Sequence, residues 1–135
     1  MGRVKHDLCR YHLYLKENSN ALTTEEADEI WGSILEGYDQ NDEDVVSFYE
    51  ELLERAAAYA AIRAKWLLMD IETRKKEDAG RTNAHNRFIN SVDNLAAFLK
   101  MEGKDVEWYH TLGNNRKRVG DFACYLALIY GLAAR

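Results

Sequence analysis

Residues 42–78, DEDVVSFYEELLERAAAYAAIRAKWLLMDIETRKKED, decide the fold. Val45, Tyr49, Leu52, Leu53, Ala56, Ala60, Ala64, Leu67 and Ile71 recur at three- and four-residue steps, which is the period of a helix buried along one face. A single helix over the stretch would be on the order of 50 Å long at ~1.5 Å rise per residue, so a bend or break within it is expected. Gly80 is read as its end.

The same period governs the rest of the chain. Val4, Leu8, Tyr11 and Leu15 share a face upstream, and Ala27, Ile30, Trp31, Ile34, Leu35 and Tyr38 form a second stripe. Thr23 and Glu26 before that stripe make a capping box, in which each side chain satisfies a free backbone N–H of the other residue. Downstream, Thr82 is read as the cap of a helix carrying Phe88, Val92, Leu95, Ala96 and Leu99 and stopped by Gly103. A short helix, 105–112, closes at Gly113, and a last helix follows Asn114-Asn115. From Phe122 that helix is apolar on nearly every side, as a central bundle element or a subunit interface would be. Nothing alternates with period two. The expectation is an all-α bundle of five or six helices in one domain, 1–135.

Composition agrees. The chain is 47% hydrophobic and 30% charged, a globular balance, and has no proline where average usage would give roughly seven. Two cysteines, Cys9 and Cys124, are too few for a disulfide scaffold. There is no signal-like apolar start, and His6 stands where a myristoylated Gly2 would want Ser or Thr. A cytoplasmic protein with no membrane span is expected. Residues 1–79 carry 10 basic and 18 acidic side chains, and residues 80–135 carry 8 and 5. The acidic half argues against general nucleic-acid affinity, whereas the basic half leaves room for a local anion site.

Several constellations carry possible chemistry. With Asp39 at the first position, Asn41, Glu43, the Val45 carbonyl, Ser47 and Glu50 fall at the ligand positions of a calcium loop. Trp31, Leu35 and Tyr38 also resemble the apolar spacing of an EF-hand's entering helix. The turn position, however, is Asp44 where that loop needs glycine. A helix start explains the same residues, with Asn41 or Asp42 as cap and Asp42, Glu43 and Asp44 facing the positive end of the dipole. Glu26-x-x-Glu29 and Glu51-x-x-Glu54 resemble the metal-binding motifs of all-α nucleotide pyrophosphohydrolases. Helical phase turns Glu29 and Glu51 away from the apolar stripes, so solvated acidic faces are expected instead. His6, Cys9 and His12 step by three but sweep ~240°, too far for all three to share one zinc.

His85 falls in phase with Val92, Leu95 and Ala96 and must find partners in the core. Arg116, Lys117 and Arg118 stand at a helix start, the wrong end for cations, which points to an anion such as a phosphate or carboxylate held by N–H groups and guanidinium forks. Arg81 and Arg87 would add to it if two helix starts meet. The plainer expectation is that these cations pair with acidic side chains of the first half or of a second subunit. Residues 105–122 also resemble a helix-turn-helix, with Gly113 as the turn and Arg116–Arg118 towards DNA. Tyr109 and Asn114 depart from that motif's small and apolar positions.

The reading that follows is a binding protein, homo-oligomeric through its C-terminal helix, with Arg116, Lys117, Arg118, Arg81 and His85 as the candidate site for a small anion or acidic protein. The alternatives are a helix-turn-helix-like DNA-binding regulator, and a metal-dependent hydrolase drawing on Glu26, Glu29, Glu51, Glu54, Asp70 and Asp93. No cofactor is called for.

Overall fold

A computed structural model describes residues 21–66 and 68–129, which form five helices and no strand. These are α1 (Thr24–Leu35), α2 (Glu43–Trp66), α3 (Ile71–Met101), α4 (Glu107–Leu112) and α5 (Arg116–Ile129). The stripe from Val4 to Leu15, the His6–Cys9–His12 set and Leu67 lie outside the described residues.

Helix α1 begins where the capping box places it, with Glu26 N–H donating to Thr23 Oγ1 (3.1 Å) and Thr23 N–H to Glu26 Oε1 (3.3 Å). Ala27, Ile30, Trp31 and Ile34 are buried, but the helix stops at Leu35, so Leu35 and Tyr38 end up exposed. Helix α2 begins as a capped helix start. The Asp42 carboxylate accepts from the N–H groups of Asp44 (3.0 Å) and Val45 (3.3 Å). Its buried face holds Val45, Tyr49, Leu52, Ala56, Tyr59, Ala60 and Ala64.

The long segment is broken, and not at Gly80. The Asp70 carboxylate caps α3 by accepting the Thr73 N–H (2.7 Å), and Arg74 Nε donates to the Trp66 carbonyl at the end of α2 (3.0 Å). A cap at Asp70 and a side-chain donor for a freed carbonyl make a corner that apolar periodicity does not reveal. Ile71, counted on the stripe, is 71% exposed there. Helix α3 then runs unbroken through Gly80 and Thr82, so neither ends nor starts a helix. Gly80 is exposed on a regular turn, where glycine costs only about 1 kcal/mol relative to alanine. Gly103 and Gly113 do end helices, and both take the left-handed φ (77° and 76°) that glycine tolerates.

Helix α3 runs antiparallel to α2, with Phe48 stacked on Phe98 at one end (4.6 Å) and Tyr59 against His85 farther along (4.9 Å). Helix α5 packs along α2, with Gly120 beside Tyr59 and Arg63 and with Cys124 and Ala127 clustered with Ala60 and Ala64. From Val119 to Ala127 every residue of α5 except Tyr125 is buried by the chain itself. It is a central element of the bundle, with Ile129 exposed at the end of its described part. Phe88, Leu95, Leu99, Leu112, Phe122 and Leu126 fill the core, each contributing roughly 1.5–3 kcal/mol on burial. Among the described residues no helix is long and apolar enough to cross a membrane.

Candidate anion site between the second, third and fifth helices

Three i, i+4 pairs meet where α2, α3 and α5 come together: Tyr59 and Arg63, Arg81 and His85, Arg116 and Gly120. Arg63 Nη1 donates to the Tyr59 hydroxyl (2.7 Å), and its Nη2 lies 3.9 Å from the carboxylate of Asp121, which is 3% exposed. Gly120 makes this possible. A Cβ there would stand 2.5 Å from Arg63 Nη1 and 2.9 Å from the Tyr59 hydroxyl. The Arg81 guanidinium lies over the Trp66 ring (4.5 Å) with one nitrogen 3.3 Å from the exposed Asp78.

His85 sits in the middle of the cluster, 3% exposed. Its Nε2 is 2.8 Å from the Arg116 carbonyl, so that nitrogen carries the hydrogen and donates. Nδ1 is then the acceptor, buried and without a hydrogen-bond partner among the described residues. Burial pushes the imidazole below its ordinary pKa of 6.5, and the cations of Arg116, Arg63 and Arg81 push the same way against the carbonyl bond. Burial also raises the Tyr59 phenol, while Arg63 draws it back. The histidine is therefore neutral near pH 7 within reach of three guanidinium groups, and the one fully buried carboxylate beside them is Asp121.

The candidate residues divide accordingly. Arg81, His85 and Arg116 come together, Arg116 holding Asn86 Oδ1 with both terminal nitrogens (3.2 Å each). Lys117 is exposed on the next face. Arg118 turns away. Its Nε donates to the Leu112 carbonyl (2.9 Å), Nη1 to Ala21 (2.7 Å) and Nη2 to Thr111 (3.1 Å), and Nη2 also pairs with Glu26 (2.8 Å). It thus binds an acidic residue of the first half and three backbone carbonyls, and it holds the Glu26 carboxyl below the ordinary carboxylate value. Three consecutive residues on a helix point in directions ~100° apart, which is why the run does not act as one patch. Arg87 contributes only its carbonyl, to Arg55 (3.4 Å). Sequence reasoning missed Tyr59 and Arg63. Their i, i+4 spacing, and a lone glycine amid the large side chains of α5, were the available signals.

The other constellations are dispersed. Asp39 accepts from the Asn41 N–H (2.9 Å) in a turn, Glu43 opens α2, and Glu50 is exposed on α2 two turns farther along. Among the carboxylates, Glu51 pairs with Arg55 (2.6 Å), Asp70 caps α3, and Asp93 accepts from the Tyr109 hydroxyl (2.6 Å). Glu29 and Glu54 are exposed. Among the described residues no three histidine, cysteine or acidic side chains are grouped to hold a metal ion. In the helix-turn-helix-like segment Val119 and Phe122 face inward, and so do Gly120, Asp121, Ala123 and Cys124, whereas Arg116 and Lys117 are exposed. Comparison with protein-family models, curated proteins and solved structures finds nothing that matches this chain.

Proposed function

We propose that the protein is a cytosolic helical bundle, folded as one domain, that acts by binding a small anion where α2, α3 and α5 meet. The observation that carries this reading is the gathering of Arg63, Arg81 and Arg116 around the buried, neutral His85. Like charges brought together beside low-dielectric core repel one another, and a phosphate or carboxylate relieves that repulsion while accepting paired guanidinium bonds. Arg116 and Arg81 are held by a neutral amide and an exposed carboxylate, partners that an anion can displace. Self-association would use the corner where α2 turns into α3, because Leu68 and Ile71 are exposed there.

The test is titration with inorganic phosphate, followed by calorimetry and thermal unfolding, on the natural protein and on Arg116→Gln and Lys117→Gln. Phosphate should stabilise the natural protein and Lys117→Gln alike, and Arg116→Gln should weaken binding by about tenfold or more, ~1.4 kcal/mol. No stabilisation by phosphate, or equal losses in the two variants, would reject the site.

A further inference from the structure

A separate cleft lies where α3, α4 and the start of α5 meet. Ile89, Val92 and Asp93 of α3, Tyr109 and His110 of α4, and Gly113, Asn114 and Val119 enclose a cleft of about 340 Å3. That volume is at the lower end of small-molecule pockets, which run roughly 300–1,000 Å3. Its chemistry is opposite to that of the arginine cluster. The floor is aliphatic, from Ile89, Val92 and Val119, and its lining includes no lysine or arginine. The acidic side chain of the lining is Asp93, at the exposed rim, which the Tyr109 hydroxyl orients by donating to Oδ1 at 2.6 Å. A carboxylate offers about four acceptor positions, and this bond uses one. Asn114 adds an amide at the rim.

We infer that this cleft binds a small organic amine, with the ammonium group on Asp93 and the apolar body against Ile89, Val92 and Val119. An ammonium group brings three donors to a carboxylate whose second oxygen remains open, and the charge-assisted bond is stronger than a neutral one. Ile89, Val92 and Val119 form an aliphatic side to the cleft, so the body that fits against them is hydrocarbon.

Phenethylamine is the probe, with phenethyl alcohol as its uncharged counterpart of nearly the same shape. Amide chemical shifts of the full-length protein would be followed as each is added at millimolar concentration, and again with Asp93→Asn and Asn114→Trp. The expected result is saturable movement confined to the amides of the cleft residues, with the alcohol at least about tenfold weaker. Asp93→Asn should bring the amine down to the level of the alcohol, and Asn114→Trp, a bulky side chain at an exposed rim position, should block both. Equal binding of amine and alcohol, an unchanged response in Asp93→Asn, or shifts scattered outside the cleft would each overturn the assignment.

Discussion

Towards its open end the α2–α3 pair is filled with hydrocarbon and aromatic rings, whereas towards its corner it is held by cations and hydrogen bonds. At the open end Val45, Tyr49 and Leu52 are buried with Leu95 and Leu99, and Phe48 stacks on Phe98. Near the corner Tyr59, Arg63 and Trp66 face Arg74, Arg81 and His85, whose buried Nδ1 has no hydrogen-bond partner among the described residues. The Tyr49 phenol belongs to the first region. Its hydroxyl donates to the Ile34 carbonyl, and burial pushes its pKa up to about 12. The difference separates what holds the fold from what the fold can present to a ligand. Packing by volume stabilises without asking for a partner, whereas clustered guanidinium groups oppose local preference, and it is this conflict that makes them the candidate site.

The largest effect expected should come from the hydrocarbon end. Leu52→Ala, at a position 1% exposed, should lower stability by about 2–5 kcal/mol in chemical denaturation. A loss well below that range would mean the two ends do not differ as described. Gly120→Ala should cost roughly 1–3 kcal/mol, because Arg63 can swing out of the way but the buried Tyr59 ring cannot. The same variant should lose phosphate binding. If it binds phosphate as the natural protein does, Arg63 is not part of the site.

The third effect is pH-dependent. His85 has a folded pKa below its ordinary 6.5, so the unfolded chain takes up its proton first as acid is added. Stability from this group is full above pH 6.5 and is lost as pH falls through that value towards the lower folded one. Tyr59, Arg63, Arg81 and Arg116 face the ring, and none of them reverses that sign. His85→Gln should flatten the stability profile between pH 7 and 5, while the fall due to Glu26 remains at lower pH, its lowered carboxyl being lost below the ordinary 4.5. A slope that survives the substitution would place the titration elsewhere. The smallest effect, and of opposite sign, is Gly80→Ala. Nothing lies within 4 Å of the added Cβ, so the variant should gain about 0.4–1 kcal/mol. A loss would show that Gly80 is needed by something that packs on that turn.

Local signals were legible in the sequence. The Thr23–Glu26 box, the Asp42 start and the stops at Gly103 and Gly113 are each written within a few residues, and the structure has them all. Non-local ones were not. The break at Asp70 was hidden because the apolar period runs on through it, and the Arg74 bond that receives the freed Trp66 carbonyl is visible only in the folded chain; Gly80 looks like a stop only until its exposure shows how little a helical glycine costs there. The site was half legible for the same reason. Helix phase placed His85 on the core side of its helix, but Arg63 joins it from another helix, and Arg118 leaves by a rotation that adjacency in sequence conceals.

Arg118 and Tyr125 also bear on the order in which the chain assembles. Arg118 reaches Ala21, and Tyr125 donates to Asp28, each across 97 residues. Contacts of such separation return free energy only after the entropy of closing a long loop has been met, whereas the α2–α3 corner closes within a few residues. The contacts between α1 and α5 should therefore form late, after the α2–α3 pair has closed. Charge loss at Arg118 should then speed unfolding far more than it slows folding.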